Sequence, residues 1–424
     1  MVERRDWSLS HETVAIAIFA LTYLIILAGE NSPRKLDRPA AGLIGAVLMV
    51  VTGVLTRHQA AASIDLSVLS LLLGMMLLIS YFVRSGLISW MAGRLVTLSS
   101  NPIQLLWITV WGAGILSALF VNDTICLLMT PLVIAAARFR RLNPEPYLLA
   151  LATSSNIGSV MTLTGNPQNM LIGQSSGWSW PGFALFMMPI GLVCLSINGG
   201  VIQLFYRKAI SHQPFTQHLD ESVAVDRRLA LKVVVVVTLL LIAFLSGAPL
   251  DISALTAAVV IFVWAGEPPE KAFSDVDWSL LIFFAGLFVV MDGVTRAGNQ
   301  WINHMMPLVV GGNRGRLRQI AEFSAISTIG SNLFSNVPFV MLMKTSLTKL
   351  HHASLFWLAL AASSTFAGNL TMIGSVANMI VAQRAKDDCP LSFWTFLRVG
   401  LATTLLTVTA SILMLWIVAK CGWV

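Results

Sequence analysis

The sequence predicts an all-α polytopic membrane protein made of two inverted repeats, with about ten transmembrane helices, two re-entrant hairpins and two broken helices. Three observations carry that prediction. The chain of 424 residues is 56% hydrophobic and only 11% charged, with a mean hydropathy of +0.78, which no ordinary soluble protein shows. Many of its apolar runs approach the roughly 20 residues that span a bilayer. A polar-centred stretch also occurs twice: residues 149–173 read LALATSSNIGSVMTLTGNPQNMLIG, and 358–382 read LALAASSTFAGNLTMIGSVANMIVA. The two align without a gap at a shift of 209, pairing Ser154 with Ser363, Ser155 with Ser364, Thr162 with Thr371, Gly165 with Gly374, and Asn169 with Asn378. Matched polar residues at matched spacing in an apolar chain mark a true internal repeat.

The elements follow in order. Spans are expected over 13–28, 39–55 and 66–83, then a short amphipathic piece over 87–98. Residues 103–137 are apolar except at Asn122-Asp123-Thr124 and Pro131. They read either as two spans with a polar turn or as a re-entrant hairpin with its tip at Asn122. The first broken helix covers 147–172. Gly165 and Pro167 interrupt it, because proline lacks a backbone donor and its ring clashes with the preceding turn. Peptide groups freed in hydrocarbon cost several kcal/mol each unless buried in protein or facing a water-filled cavity, so such a break is a binding-site candidate. A span over 183–206 closes the first half.

The second half repeats the pattern with spans over 229–245, 252–265 and 280–294. An apolar pair around Ser335-Asn336-Val337-Pro338, a second broken helix over 356–382 and a last span over 393–418 follow. Asp65/Asp277, Gly74/Gly286 and Arg84/Arg296 match at a shift of 212, and Asn122/Asn336 at 214. The expected organisation is therefore a first membrane repeat at 1–206 (tip near 122, break near 165), a cytoplasmic linker at 207–228, and a second, inverted repeat at 229–424 (tip near 336, break near 374).

Loop charge orients this arrangement. With re-entrant hairpins and the N-terminus outside, 17 of the 27 Lys and Arg fall on the inner side, the direction the positive-inside rule requires. The charge-free loops 174–182 and 247–249 then both lie outside, with Trp178 and Trp180 at the outer interface. The net charge of +7 needs no nucleic acid to explain it. Four scattered cysteines, with no CxxC, indicate neither a disulfide framework nor a metal site, and no cofactor is expected. No phosphate-binding loop, nucleophile elbow or HExxH occurs, so the chain does not read as an enzyme. Gly112 and Gly114 lie inside an apolar helix and read as packing positions.

Asp123 is the sharpest candidate for chemistry. A carboxylate among Phe120, Val121, Ile125 and Leu127 is costly in a bilayer, so it normally faces a cavity or a partner, and there it suits a proton carrier. The alternative is a helix cap. The second half has Val337 in its place, so the tip does not need the charge for its shape. Asn122, Thr124, Ser335 and Asn336 would turn amides and hydroxyls toward a substrate or cap the helices. The breaks offer Thr164, Gly165, Asn166 and Asn169 in one half and Thr371, Gly374, Ser375 and Asn378 in the other, with free backbone groups. Thr162 and Thr371 could equally bond their own i−4 carbonyls. Asp292 and Arg296 read as a helix-end ion pair. Lys344 is expected to snorkel to the outer interface, or to act as a counter-charge to Asp123. Cys126 is expected to be core packing.

On Phe120-Val121-Asn122-Asp123-Thr124 with Pro131, and on Thr164-Gly165-Asn166-Pro167-Gln168-Asn169, the chain resembles the ion-transporter superfamily across nearly its whole length. The Asn-Asp pair is similar to that of arsenite-efflux permeases, and the Gly-Asn-Pro-Gln-Asn break to that of plant silicon-efflux carriers. The Ser-Asn-Thr and Thr-Pro-Pro-Asn patterns of dicarboxylate symporters are lacking. The resemblance implies a scaffold and a mobile transport domain in the inner membrane. It also implies efflux of arsenous, antimonous or silicic acid against protons carried by Asp123, since no Arg or Lys lies in the four motifs to attract a polyanion. A sodium–proton antiporter and a sodium-coupled anion symporter remain alternatives. As partners the family leaves room for a soluble arsenite-stimulated ATPase and a homodimer, although no residue here shows either.

Overall fold

The computed structural model describes residues 3–28, 37–87, 90–91, 99–211, 225–298, 315–348 and 353–423. Among these residues all regular structure is helical. The first half contains α1 (Glu3–Ala28), α2 (Arg38–Val51), α3 (Leu66–Arg84), α4 (Pro102–Leu119), α5 (Asn122–Phe139), α6 (Glu145–Ser159), α7 (Pro167–Ser176) and α8 (Trp180–Phe205). The second contains α9 (Arg227–Leu245), α10 (Leu250–Ala265), α11 (Trp278–Gly298), α12 (Arg316–Phe334), α13 (Asn336–Leu347), α14 (Ser354–Ala367), α15 (Val376–Arg384) and α16 (Phe393–Lys420). Short helices, Arg57–Ser63 and Pro269–Ser274, precede α3 and α11. The order is thus the same in both halves, each helix of the first having its counterpart eight places later. Most of the amphipathic piece at 87–98, and linker residues 212–224, lie outside the described residues.

Local chemistry sets the starts. Asp37, Asp65, Asn101, Asn166, Ser179 and Asp226 each cap the following helix by accepting from a backbone N–H of its first turn. Thr56 and Gln59 form a full capping box for the short helix before α3. Among the described residues, seven helices are long and apolar enough to cross a membrane. The halves of the two broken helices are not: α7 and α15 have 10 and 9 residues, about 15 and 14 Å at 1.5 Å per residue, against a hydrocarbon core of about 30 Å.

Packing divides the chain into two bodies, and the contacts of one half are returned by the other. In the scaffold, α2 packs on α11 and α10 on α3, while α1 and α9 flank those pairs. The crossings are close because small residues face backbone. A Cβ on Gly286 would stand 2.5 Å from the Gly42 carbonyl carbon, and one on Gly74 would stand 2.6 Å from that of Ala254. In the bundle, α4 packs on α6 and α12 on α14, α5 on α15 and α13 on α7, while α8 and α16 pack together. Gly114, expected as a packing position, faces Leu195 of α8 and backs directly onto Gly158 of α6. The bundle meets the scaffold through α7 against α3, α13 against α11 and α8 against α9.

The apolar stretch at 103–137 becomes α4 and α5, each 18 residues long, joined at Phe120-Val121. That tip is not at a surface, for Phe120, Val121 and Asn122 are all buried. The second tip, Ser335, joins α12 to the 12-residue α13 with φ 68° and ψ 156°. That region of backbone space is essentially reserved for glycine, so the tip is strained.

Candidate functional site

Each break is closed by its own asparagine. Pro167 opens α7 at its first position, where a missing N–H costs nothing, and Asn166 Oδ1 accepts from Asn169 N at 2.8 Å. The side chain of Asn169 turns back over the break, and its Nδ2 donates to Ser159 O (3.2 Å) and Thr162 O (2.9 Å). Asn378 does the same in the second half, donating to Gly368 O (2.7 Å) and Thr371 O (3.0 Å). These are equivalent atoms at the 209-residue shift, carbonyls at the interruption of each helix; Thr371 O also accepts from Gly374 N at 3.1 Å. Gly165 is required by close approach, since a Cβ there would stand 2.8 Å from Ser117 O.

The first tip and both breaks meet at Asn156. The Asn122 backbone N–H donates to Gly165 O at 3.0 Å, and its Nδ2 donates to Asn156 Oδ1 at 2.9 Å. The same Oδ1 accepts from Ser375 Oγ at 3.0 Å. Asn156 Nδ2 in turn donates to Asn369 Oδ1 (2.9 Å) and Asn378 Oδ1 (3.0 Å). The second tip joins through Asn336, whose Oδ1 accepts from Ser331 Oγ at 2.8 Å and whose Nδ2 faces Gly368. Asn122, Asn156, Asn169 and Asn378 are all buried. In this cluster Asn122 Oδ1, Asn169 Oδ1, Asn332 Oδ1 and Ser364 Oγ are buried without a hydrogen-bond partner. Buried polar atoms are normally satisfied, so these oxygens are open to a donor or a cation.

Several sequence expectations resolve here. Asn122 and Asp123 do not cap α5, whose N-cap is Val121, with no side-chain cap bond. Asp123 and Thr124 are half-buried beside the hub. The Thr164 hydroxyl accepts from Trp180 Nε1 at 3.3 Å. Thr371 precedes the short 3-10 turn Met372–Gly374, and Ser375 caps α15 by position while bonding Asn156. Thr162 bonds neither its own i−4 carbonyl nor open space but Ala118 O of α4, at 2.6 Å. Lys344 Nζ lies 3.4 Å from Asp65 Oδ2, so the carboxylate it meets is one from the scaffold and not Asp123. Asp292 and Arg296 form the expected pair at 2.6 Å, and buried Cys126 packs with Sγ 2.9 Å from Ser155 Oγ.

Asn156, Asn369 and Arg38 are the residues that sequence reasoning missed. Asn156 was signalled by the run Ser154-Ser155-Asn156 in an apolar helix, although its repeat counterpart is Thr365. That threonine takes bonds from the first break, from Gln168 Nε2 at 3.2 Å and Asn166 Nδ2 at 3.5 Å. Arg38 counted as a loop charge. Its Nη2 lies 2.7 Å from Met379 Sδ, next to Asn378.

A cavity of about 180 Å³ lies beside the first break, lined by Gly173, Trp178, Trp180, Phe244, Leu250 and Asp251 among others. The charge-free loops 174–182 and 247–249 both contribute to its wall. The Trp180 ring stacks on Phe244 with centroids 6.1 Å apart while its N–H holds Thr164, so a single side chain connects cavity and break.

With this geometry in place, comparison with known proteins is informative. The family profile described as CitMHS, citrate transporter, matches residues 22–362. The 46 kDa membrane protein of Mycobacterium leprae is 29% identical over 429 residues, covering 95% of this chain and 98% of that protein. The silicon efflux transporter LSI3 of Oryza sativa subsp. japonica is 30% identical over 481 residues, covering 96% and 98%. In fold, the chain is similar to the crystal structure of the YdaH transporter of Alcanivorax borkumensis, with a TM-score of 0.59 over 98% of both chains at 13% identity. The chain is a multi-pass membrane transporter and belongs to the CitMHS citrate transporter family of the ion transporter superfamily.

Proposed function

We propose that the protein is a secondary active transporter that exports trivalent metalloid hydroxides, arsenous or antimonous acid and with them silicic acid, in exchange for protons. The observation that carries this reading is the Asn156 hub. Two breaks and a hairpin tip converge there on amides and hydroxyls, with unpartnered acceptor oxygens at Asn122, Asn169 and Asn332. A small neutral solute bearing several O–H groups supplies the donors that those oxygens lack, without a charge to desolvate. The residues that would line the substrate path are Asn122, Asp123, Thr124, Thr164, Gly165, Asn166 and Asn169 from one half, and Ser335, Asn336, Thr371, Gly374, Ser375 and Asn378 from the other. Asp123 carries the proton. Half-helices too short to span, a buried tip and matched helix orders favour inverted repeats with re-entrant hairpins and alternating access. Likeness to a silicon efflux transporter supports the substrate class.

The test is metalloid accumulation in cells lacking their own arsenite efflux. Intact protein should lower accumulation, and an uncoupler or Asp123→Asn should abolish the effect. Unchanged accumulation with well-expressed protein would remove the metalloid reading, and efflux surviving Asp123→Asn would remove the proton carrier.

A second reading is favoured by Arg38, which brings positive charge to the site, and by the family's citrate description. It is sodium-coupled anion transport, with the free oxygens holding the cation. Citrate flux that follows the sodium gradient would select it.

A further inference from the structure

Arg38 and Leu250 hold the same place in the two repeats, with opposite consequences. They correspond at the 212 shift, and each is the first residue of its helix, α2 and α10. Arg38 crosses from the scaffold to the bundle, where its Nη2 meets Met379 Sδ of α15 at 2.7 Å. Leu250 instead lines the cavity of about 180 Å³, together with Gly173 of α7, the counterpart of α15. One half thus fills this place with a cation of its own, and the other leaves a space there.

The walls of that space favour positive charge. Trp178 and Trp180 come from the bundle and Phe244 from the scaffold, and the Trp180 and Phe244 rings stack with centroids 6.1 Å apart. Aromatic rings attract ammonium groups through their negative faces. Asp251, half-buried in the first turn of α10, brings a carboxylate to the same wall. Among the described residues it has neither a hydrogen bond nor an ion pair. The protein supplies no cation to it: α7, α8 and α10 contain no Lys or Arg, and Arg227, Arg228 and Lys232 of α9 lie at the opposite end from Phe244. The starts of α8 and α10 also border the cavity, but Ser179 caps the first and the second carries Asp251. An anion would meet that carboxylate with no Lys or Arg to offset it.

We propose that this cavity is a binding site for a small organic ammonium ion, held by Asp251 and by the Trp178, Trp180 and Phe244 rings. The space suits a headgroup-sized cation, since pockets for drug-sized ligands take roughly 300–1,000 Å³. Its occupant touches bundle and scaffold at once, and the Trp180 N–H, 3.3 Å from the Thr164 hydroxyl, connects it to the first break. A bound ammonium ion therefore holds the two bodies in this arrangement and stabilises the protein by mass action. A free solute such as choline and the headgroup of phosphatidylethanolamine both offer this chemistry.

None of the wall residues belongs to the Asn156 hub, so the test needs no metalloid. The probe is radiolabelled choline, titrated onto the intact protein in nanodiscs of phosphatidylglycerol, which has no ammonium group, with empty discs as the blank. Saturable binding that raises the melting temperature is expected, and dimethylbutanol, the uncharged carbon isostere of choline, should not compete. Asp251→Asn should weaken choline by about tenfold or more, because one close opposite charge is lost in a partly buried place. Leu250→Arg should abolish binding by placing a tethered guanidinium where the ammonium sits, whereas Leu250→Met should bind like the parent. Both residues are half-buried at a helix start, so the variants should fold, which melting without choline checks. Nanodiscs of phosphatidylethanolamine decide the source: blocked choline binding assigns the site to the headgroup, and unchanged binding assigns it to a free solute. Absence of saturable choline binding in phosphatidylglycerol, or binding that survives both Asp251→Asn and Leu250→Arg, overturns the proposal. Equal competition by dimethylbutanol overturns it without any variant.

Discussion

Asn122 and Asn156, 34 positions apart, meet through a 2.9 Å side-chain hydrogen bond that ties the first tip to the first broken helix. Asn156 spends its remaining groups on Asn369, Asn378 and Ser375, all from the other half. Replacing it by alanine leaves four buried polar groups without that partner, at about 1–3 kcal/mol for each that water cannot reach. Asn156→Ala should therefore abolish transport and lower the melting temperature in detergent. A variant that melts like the parent and transports normally would show that the hub neither holds the site nor forms it.

Asn169 and Asn378 divide their two side-chain atoms between roles. The Nδ2 groups clamp the breaks, while Asn169 Oδ1 is unpartnered and Asn378 Oδ1 is taken by Asn156. Substitution by aspartate keeps an oxygen acceptor and removes the donor. Both Asn169→Asp and Asn378→Asp should lose stability, by about 2 kcal/mol or more, since carbonyls lose their donors and face a carboxylate instead. Thermal unfolding checks this. Equal stability would mean that the breaks hold without their clamps.

Much of this was legible in the sequence, for physical reasons. Hydropathy shows where helices lie in a membrane protein, and Gly165, Pro167 and Gly374 mark breaks because they fall within duplicated polar runs, whereas Pro131 and Pro189, amid apolar residues, sit inside continuous helices. The duplicated polar spacing pointed to the two breaks and two tips. What was not legible depends on distant packing. Asn156 meets residues 213 and 222 positions away, which no local pattern reports. Arg38 and Lys344 counted as loop and interface charges, because sequence shows the charge but not the Met379 or Asp65 that receives it. Asn169 and Asn378 read as substrate ligands, yet their donors serve the backbone.

Ser335 holds the second tip with φ 68°, where its counterpart Val121 has φ −64°. A non-glycine residue there costs on the order of 1–3 kcal/mol. Ser335→Gly should raise the melting temperature. If Ser335 also touches substrate, the same variant should transport less well than the parent, and direct transport measurement separates the two effects.

Gly158 of α6 rests on the backbone of Gly114 in α4, so the helix carrying Asn156 is set by contact between two glycines. Backbone cannot yield as a flexible side chain can. Gly158→Ala should cost about 1–3 kcal/mol by forcing α4 from α6, and should impair transport by moving Asn156. Wild-type melting and transport would mean that the two helices separate freely.

Lys344 and Asp65 join the bodies at a second point, since Lys344 is on α13 of the bundle and Asp65 caps α3 of the scaffold. The pair is 3.4 Å long and partly exposed, so its net worth to stability is about 1 kcal/mol or less. Asp65 accepts from Val68 N with Oδ1 while Oδ2 faces Lys344, and its counterpart Asp277 caps α11 through Leu280 N although the repeat has Thr130 in place of Lys344. A cap alone therefore does not call for the cation. If the pair resists relative movement of the two bodies, Lys344→Met should barely change the melting temperature but alter the transport rate. The double variant with Asp65→Asn should then be no further from the parent than Lys344→Met alone. Independent, additive effects on rate would make Lys344 a surface charge with no part in the cycle.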